Sequence, residues 1–346
     1  MKDVGSSSAG VVMTEQRIRW GVLSTANIGR IAVNPAIRAS SNGTLLAVAS
    51  RDAQRARAFA EQGGIPRHYG SYEELLADPD VEAVYIPLPN NMHRVWSIRC
   101  AEHGKHVLCE KPLALNAAEC REMRVAASLN STLLMEAFMY RFHPRTERLV
   151  AMSHAGALGT VRAIRSAFTF RLSRPDNIRL LPELGGGALM DVGCYCVNVS
   201  RSVAAAEPEV VQAWAIWGPT GVDLELTGAL RFASGLVAHF DCAMSMDRRE
   251  VVEVAGTDGS LTMEAAFLPG LDRVELTERR AGAVAQHDVS GTNEYVHMVE
   301  HFSDCVQRRK PVRCDATDAE CNMAVIDALY TSARTGGHPV SVARRT

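Results

Sequence analysis

The stretch that decides the fold reads IRWGVLSTANIG and covers residues 18–29. Ile18–Leu23 is a short apolar run of the kind that forms a strand buried on both faces of a parallel sheet. Ser24–Gly29 then leads into a segment with helical spacing, so the stretch predicts a strand, a tight turn and a helix start. Pro35 lacks an N–H donor and is expected to break or restart that helix.

The same alternation continues to about residue 139. Helical segments follow each apolar run, and Ser71 and Asn116 have the residue types that cap helix starts. Strands and helices that alternate at this spacing predict a doubly wound parallel sheet, the Rossmann class of α/β domain. The further strand candidates are Thr44–Ala49, Val81–Ile86, His106–Cys109 and Thr132–Glu136.

After about Met139 the pattern changes to successive strand-like runs, several separated only by turns. This predicts an α+β second domain with one large open, mostly antiparallel sheet. A last helix is expected with Thr317 and Glu320 at its start, and we expect it to pack back on the first domain. The strand-like runs are Val161–Leu172, Val210–Trp217, Glu225–Phe232, Leu236–Cys242, Val251–Gly256 and Arg273–Glu278.

The composition favours a cytoplasmic two-domain protein. The chain has 346 residues, 47% of them hydrophobic, and a net charge of −2, which gives no basic footprint for nucleic acid. No apolar stretch approaches the roughly 18 residues of a membrane span. Nine cysteines without a CxxC pair indicate reduced thiols, and no metal site is expected. We expect a disordered tail over residues 1–16, with no secretory signal, and domains over residues 17–139 and 140–346.

The turn after the first strand has the position of a phosphate-binding loop. In a Rossmann fold the pyrophosphate of a dinucleotide lies at this turn, where backbone N–H groups and the helix N-terminus attract the anion. Ser24, Ala26 and Gly29 occupy the glycine positions of the usual GxGxxG pattern, and small side chains still admit phosphate. With Asn27 and Ile28 they are candidate cofactor-binding residues; a generic turn is the alternative.

The end of the second strand indicates which dinucleotide binds. Ser50 and Arg51 stand where an acidic residue would accept the ribose 2′-hydroxyl of NAD. A hydroxyl and a guanidinium suit a 2′-phosphate, so NADP is favoured over NAD. Asp52 follows and is interpreted as a helix cap.

Two segments, after the strand candidates Val81–Ile86 and His106–Cys109, are the next candidates for ligand contact, because ligands bind at the carboxyl ends of parallel strands. These segments are Pro89–His93 and Glu110–Pro112. For His93, support of the cofactor loop is the stronger interpretation. The expected cofactor contacts here are Leu88, Asn90, His93, Glu110 and Lys111.

A glycine-rich run, GGGALMDVGCY at residues 185–195, completes the pattern. With Glu110-Lys111-Pro112 it resembles the Gfo/Idh/MocA oxidoreductase family over about residues 17–342. The resemblance implies that Lys111 lies beside the nicotinamide and that Asp191 and Tyr195 face the reacting carbon. Tyr195 stands where many members have histidine. In this the chain is similar to the branch of glucose–fructose oxidoreductase, dihydrodiol dehydrogenase, NADP-dependent xylose dehydrogenase and the nucleotide-sugar 3-ketoreductases.

Hydride transfer from a carbinol needs a base for the hydroxyl proton, which makes Lys111, Tyr195 and Asp191 the candidate catalytic residues. A free tyrosine has a pKa of about 10, and an ammonium within about 4–6 Å lowers a pKa by about 1–3 units. We therefore expect Lys111 to bring the pKa of Tyr195 towards neutral, with Asp191 orienting Lys111 or a substrate hydroxyl. A packed core tyrosine and a helix-capping aspartate are the alternatives.

Four further residues are candidates for substrate contact. Arg141 and His143 follow the strand candidate Thr132–Glu136, and ion-pair or capping roles are equally open for them. Arg179 lies on a polar loop that would close over a substrate. Asn198 stands where many family members have an aspartate, so its contact is carried over from the resemblance.

The resemblance implies an NADP-dependent oxidoreductase acting on a sugar or polyhydroxy compound, above all an aldose 1-dehydrogenase of the xylose or glucose type. Alternatives are a sugar or nucleotide-sugar ketoreductase, a trans-dihydrodiol dehydrogenase and, in another class, a non-catalytic NADP-sensing regulator. It also implies a homodimer or homotetramer formed through the open sheet. A carbohydrate-like small molecule is the expected substrate; no nucleic acid or membrane partner is expected.

Overall fold

A computed structural model describes residues 17–343, so the predicted tail over residues 1–16 lies outside the described residues. Within that range no helix combines the length and apolar character needed to span a membrane. The described side chains also include no group of three His, Cys, Asp or Glu residues arranged to hold a metal ion.

The first sheet has six parallel strands in the order β3-β2-β1-β4-β5-β6. This is the predicted Rossmann arrangement, in which the strand order reverses beside β1. The apolar runs predict four of the remaining strands, but β3 has only three residues and no apolar run. The strands are β1 (Ile18–Leu23), β2 (Gly43–Ala49), β3 (Arg67–Tyr69), β4 (Ala83–Ile86), β5 (His106–Cys109) and β6 (Leu134–Glu136).

The helices of the chain begin at polar capping residues in most cases. Side chains of Asp52, Ser71 and Asn116 each accept a hydrogen bond from the N–H three residues later, as predicted. The predicted start of the last helix is wrong, because Asp315 and not Thr317 is its cap. The helices are α1 (Asn34–Ala39), α2 (Ala53–Gly63), α3 (Tyr72–Ala77), α4 (Asn90–Glu102), α5 (Ala117–Leu129), α6 (Pro144–His154), α7 (Cys194–Ala204), α8 (Glu294–Arg308) and α9 (Ala316–Arg334).

The second sheet has nine strands in the order β14-β13-β12-β11-β7-β10-β9-β8-β15. Its pairs are antiparallel except β7 with β10, which confirms a large, mostly antiparallel sheet. The strands are β7 (Val161–Arg171), β8 (Val210–Trp217), β9 (Asp223–Arg231), β10 (Val237–Ala243), β11 (Ser245–Gly256), β12 (Gly259–Glu264), β13 (Val274–Arg280), β14 (Ala283–Val289) and β15 (Val340–Ser341).

Two helices, α1 and α7, are each preceded by a π-helical turn, and both turns lie at the cavity described below. Gly29–Val33 precedes α1, and Leu189–Gly193 precedes α7. At the first, Pro35 cannot donate a hydrogen bond, and the N–H of Asn34 reaches back five residues to the carbonyl of Gly29. Proline therefore restarts the helix, as the sequence predicts.

The last helix, α9, packs against α5 of the first sheet's outer layer. Glu320 accepts hydrogen bonds from Arg121 Nε at 2.8 Å and Arg124 Nε at 3.1 Å. Asp327 accepts one from the N–H of Ala117 at 3.0 Å, close to the start of α5. The two halves of the chain are therefore joined far from the cavity as well as across it.

Candidate active site

A cavity of about 1020 Å³ lies at the carboxyl ends of the parallel strands and faces the second sheet. Ligand pockets commonly measure about 300–1,000 Å³, so it has room for a dinucleotide together with a small substrate. The residues predicted to touch the cofactor line its wall, except Gly29 and His93. Those that line it are Ser24, Ala26, Asn27, Ile28, Ser50, Arg51, Leu88, Asn90, Glu110 and Lys111.

The turn after β1 has a backbone that usually requires glycine. Ser24 has a φ of 126°, in the region that side chains disfavour. Its hydroxyl donates to the carbonyl of Pro87 at 3.1 Å and accepts from the N–H of Ala26 at 3.1 Å. No side chain caps the π-helical turn that follows. The helix start is thus left for an anion, which fits the pyrophosphate of a dinucleotide.

The turn after β2 and the first turn of α2 each supply a guanidinium group to the cavity wall. Arg51 and Arg55 both line it, and Arg51 faces the hydroxyl of Tyr72. Burial raises the pKa of Tyr72, and the two arginines oppose that rise. Asp52 caps α2, as predicted. This donor set fits a phosphate better than a ribose 2′-hydroxyl. Arg55 and Tyr72 were missed; Arg55 lies in the first turn of α2, which follows Arg51 directly, and Tyr72 begins α3.

His93 lies behind the wall. It is fully buried, with Nδ1 3.0 Å from the carbonyl oxygen of Pro112 and Nε2 2.8 Å from that of Leu88. Burial lowers the pKa of His93. The ring therefore ties the loop after β4 to the loop after β5, where Lys111 stands, and supports both.

Three charged side chains meet at the centre of the cavity. Lys111 Nζ lies 2.7 Å from the backbone oxygen of Asp191 and 3.3 Å from its Oδ1. Arg179 Nε lies 2.5 Å from Asp191 Oδ2. The carboxylate is thus shared between a cation from the first domain and one from a loop of the second.

The pKa values of this group keep all three residues charged at neutral pH. Burial alone would raise the pKa of Asp191, but Lys111 and Arg179 hold it below its usual value. Burial would lower the pKa of Lys111, and Asp191 raises it above its usual value instead. A carboxylate between two cations orients both of them, and the ammonium of Lys111 keeps a further N–H for a ligand oxygen.

The loop before the glycine triplet carries Arg179 and is tied to the first domain. Asn90 Nδ2 donates to the carbonyl of Gly185 at 2.9 Å, and Asn91 Nδ2 donates to that of Glu183 at 2.9 Å. A Cβ on Gly186 would collide with the carbonyl oxygen of Arg179. The close packing that glycine allows here sets the direction from which Arg179 reaches Asp191.

Tyr195 faces the cavity from the start of α7 but does not have the predicted acidity. Lys111 Nζ lies over its ring, 4.9 Å from the centroid, rather than beside the hydroxyl, which contacts Met139 Sδ at 3.5 Å. Burial raises the pKa of Tyr195 well above its usual value. The expectation of a near-neutral pKa is therefore wrong for this structure, because burial and the nearby carboxylates of Glu110 and Asp191 all favour the protonated form. Four aromatic rings enclose Tyr195: Phe138, Tyr140, Phe168 and Phe267.

Three predicted substrate residues do not line the cavity. Arg141 Nη1 pairs with Asp318 Oδ2 at 2.6 Å. His143 caps α6, accepting from the N–H of Arg145. Asn198 is fully buried one turn into α7, where it accepts from the hydroxyl of Tyr140 at 2.6 Å. All three side chains therefore contact other protein groups in the structure. Of the four predicted substrate residues, Arg179 is the one that lines the cavity.

Two cavity residues come from distant parts of the chain and were missed. Tyr295 at the start of α8 lies near Glu110, and burial together with that carboxylate raises the pKa of Tyr295. Glu110 itself accepts from the hydroxyl of Tyr85 at 2.6 Å. Arg248 on β11 pairs with the buried Glu250. No local motif marks Tyr295 or Arg248, since only the fold brings them to the site.

Comparisons with known proteins agree with this geometry. Residues 18–138 match the model of the oxidoreductase family with a NAD-binding Rossmann fold, and residues 146–262 match the GFO/IDH/MocA C-terminal domain. D-xylose 1-dehydrogenase (NADP(+)) 2 of Haloferax volcanii is 41% identical over 319 residues, covering 92% of this chain and 98% of the relative.

Two other matches extend the comparison. The trans-1,2-dihydrobenzene-1,2-diol dehydrogenase of Mus musculus is 37% identical, covering 73% of this chain and 76% of the relative. Among solved structures, the aldose-aldose oxidoreductase from Caulobacter crescentus superposes with a TM-score of 0.87 at 28% identity, covering 94% of this chain and all of that one. This chain therefore belongs to the Gfo/Idh/MocA oxidoreductase family.

Proposed function

We propose that this protein is an NADP-dependent aldose 1-dehydrogenase that oxidises the C1 hydroxyl of a sugar such as xylose or glucose to a lactone. The observation that carries the proposal is the meeting of Lys111, Asp191 and Tyr195 in one cavity whose far end holds Arg51 and Arg55. The named activity of the Haloferax volcanii relative supports the choice of substrate and cofactor. Residues 17–139 would bind the dinucleotide, and residues 140–346 the sugar.

The dinucleotide, when bound, accepts hydride from the sugar's C1. Its pyrophosphate would lie against the turn at Ser24–Ile28, and Arg51 with Arg55 would hold the 2′-phosphate. Glu110 and Leu88 also line the cavity, and Glu110 directly precedes Lys111 in the chain. The protein's own contribution is to position the reacting atoms and polarise them.

Lys111 would hold the sugar's reacting oxygen. Its ammonium has two oxygens of Asp191 as partners and a further N–H available for a substrate atom. The positive charge of that ammonium stabilises negative charge on the oxygen as the C–H bond breaks.

Tyr195 would exchange the proton with that oxygen. In the described structure it holds its proton at neutral pH, because burial raises its pKa. It is therefore ready to donate a proton when a carbonyl is reduced. In the oxidative direction it must first lose the proton, which positive charge near its hydroxyl promotes and rising pH favours.

The walls around the substrate half also fit a second candidate, oxidation of a trans-dihydrodiol. Phe168, Phe170, Ile178 and Leu268 line this half and present apolar surface to a ring. Such walls accept the C–H face of a sugar or a planar hydrocarbon. The mouse relative carries the name of that activity.

We further propose that the protein works in the cytoplasm as a dimer or tetramer. All nine cysteines are free, as expected for a reducing compartment. The open sheet exposes Trp214, Ile216 and Trp217 on β8, which is apolar surface that a second copy would cover.

Absorbance at the NADPH band tests the activity. Purified protein is mixed with NADP and a panel of aldoses, cyclitols and a trans-dihydrodiol, and the series is repeated with NAD. We expect reduction of NADP by xylose or glucose with a higher kcat/KM than with NAD. Reduction by the dihydrodiol alone would replace the first candidate with the second, and no reduction despite NADP binding would contradict both.

A further inference from the structure

A buried carboxylate from the second sheet holds the start of the helical segment that faces Lys111. Asp223, the first residue of β9, is 1% exposed. Its Oδ2 accepts a hydrogen bond from the N–H of Leu189 at 2.7 Å, and its Oδ1 accepts one from the hydroxyl of Tyr330 at 2.8 Å. Tyr330 belongs to α9, so one side chain joins the sheet, the last helix and the active-site segment.

The third glycine of the triplet makes this contact possible. Gly187 has a φ of 123°, and a Cβ there would collide with Oδ1 of Asp223 and with the hydroxyl of Tyr330. Any side chain at residue 187 would displace the carboxylate from the helix start. The approach of a protein group thus requires glycine at this position.

The segment that begins at Leu189 carries the groups on which the site depends. The backbone oxygen of Asp191 is the nearest partner of Lys111 Nζ, so a shift of the backbone moves the lysine directly. Tyr195 follows one turn later on the same continuous helix. A carboxylate at a helix start satisfies an otherwise unpaired N–H and is favoured by the helix dipole.

We propose that Asp223 is a positioning residue, held by Tyr330, which fixes the Leu189–Gly193 turn so that Asp191 and Tyr195 face Lys111. The inference rests on the proposed function for its readout in turnover. Asp223 touches no substrate, since it does not line the cavity; it acts through the backbone of the segment.

Titration of Asp223 provides a signature that a merely structural residue would lack. Burial raises its pKa to about 6, against the hydrogen bonds from Leu189 and Tyr330. The other titratable groups that face it are Arg334 on α9, which lowers the pKa, and Cys242 on β10, a buried thiol. Above pH 6 the carboxylate accepts from both donors. Below it, one oxygen carries a proton and one of the two bonds weakens.

The test compares wild type with Asp223→Asn in steady-state kinetics between pH 5 and 8. At pH 7.5 we expect kcat to fall roughly 10- to 100-fold, as for a misplacement of about 1 Å, while the NADP dissociation constant stays within about twofold. The ratio of wild-type to variant kcat should shrink towards one below pH 6, because the neutral acid resembles the amide. This ratio cancels the pH dependence that both proteins share through Tyr195.

Tyr330→Phe keeps the ring and removes only the donor. The hydrogen bond from Tyr330 favours the ionised form of Asp223, so its loss should raise the pKa of Asp223. The pH at which the effect of Asp223→Asn on kcat disappears should therefore be higher when Phe replaces Tyr330. Asp288→Asn is the matched control: Asp288 lies on β14, half exposed and paired with Arg273, and its amide variant should keep wild-type kcat. The proposal would be overturned if the ratio of wild-type to Asp223→Asn kcat is near one at pH 7.5, or if that ratio does not change with pH.

Hydrogen exchange tests whether Asp223 holds the Leu189–Gly193 turn in place, and it needs no turnover. Peptides covering residues 188–195 should exchange faster in Asp223→Asn than in wild type, and as in wild type in Asp288→Asn. If the wild type oxidises no sugar, the proposed function fails, and exchange alone then decides whether Asp223 holds the segment. Unchanged exchange in Asp223→Asn would overturn the inference.

Discussion

Two helix starts face the same cavity, but a side chain of the protein occupies only one of them. At Gly29–Val33 no side chain occupies the N-terminus, and small residues such as Ala26 leave it open. At Leu189–Gly193 the chain's own carboxylate, Asp223, fills the equivalent position. Both segments begin with a π-helical turn and lie beside a residue with a φ above 120°, Ser24 in one case and Gly187 in the other.

The difference separates binding from positioning. A helix start left open attracts the phosphate of a ligand, so it serves binding. A helix start already filled attracts no ligand, but its side chains are fixed in place before a substrate arrives. Substitutions in the substrate half should therefore change kcat, and substitutions in the dinucleotide half should change cofactor affinity.

The largest effect is expected for Lys111→Met. This change removes the ammonium that Asp191 orients and leaves the chain length nearly intact. We expect kcat to fall about 10²- to 10⁴-fold, because the reacting oxygen loses its charged partner. The NADP dissociation constant, measured by fluorescence, should change less than about threefold if the two halves are separate. A comparable loss of NADP affinity would contradict the separation of the site into a substrate half and a dinucleotide half.

Tyr195→Phe should lower kcat about 10²-fold and remove a pH dependence. Burial raises the pKa of Tyr195, so the deprotonated form that accepts a proton is scarce at neutral pH and grows with pH. Wild-type kcat/KM for sugar oxidation should rise about tenfold per pH unit over this range, whereas carbonyl reduction stays nearly flat. Initial rates in both directions measure this. A variant with the wild-type profile would exclude Tyr195 as the proton-transfer residue.

Arg51→Ala tests the other half. Loss of a charge-assisted hydrogen bond, worth about 1.5–3 kcal/mol, should raise the KM for NADP roughly 10- to 100-fold and leave the KM for NAD unchanged. The kcat at saturating cofactor should stay near the wild-type value. Arg57→Ala is the matched control, since Arg57 lies on α2, the helix that follows Arg51, where it is exposed and paired with Glu61. Equal losses for both cofactors would refute a 2′-phosphate contact.

The smallest effect is expected for Ser24→Gly. Glycine adopts the φ of 126° without strain, which offsets the loss of the two hydrogen bonds of the Ser24 hydroxyl. We expect an NADP dissociation constant within about threefold of wild type and a stability change below about 1 kcal/mol in thermal unfolding. Ser24→Val should lower the melting temperature, because a β-branched residue tolerates this backbone poorly. A large affinity loss in the glycine variant would mean that the hydroxyl itself contacts the cofactor.

Local patterns predicted the fold and the centre of the site. The apolar run of β1, the loops after β4 and β5, and the glycine-rich run each place a residue by short-range rules, and Lys111 and Asp191 do meet. The pKa of Tyr195 was predicted in the wrong direction, because it depends on four aromatic rings from separate segments that exclude water. Charge spacing alone carries no information on that burial.

Residues that depend on long-range packing were missed or misplaced. Asp223 and Tyr330 are 107 positions apart, and neither belongs to a recognisable motif. Arg141 and Asn198 have polar side chains near motif residues, but the chain turns them into buried contacts with Asp318 and Tyr140. Sequence proximity to a motif did not predict which way a side chain faces.

The contact between α9 and α5 has a consequence for folding. Arg121 and Glu320 are 199 positions apart, so the outer layer of the first domain is completed by a segment that is synthesised long after it. Contacts of such long sequence separation form slowly. On a ribosome, the parallel strands of the first sheet would be synthesised while α9 and Tyr330 are still missing. The segment that Asp223 anchors would therefore reach its final position only after α9 has been made.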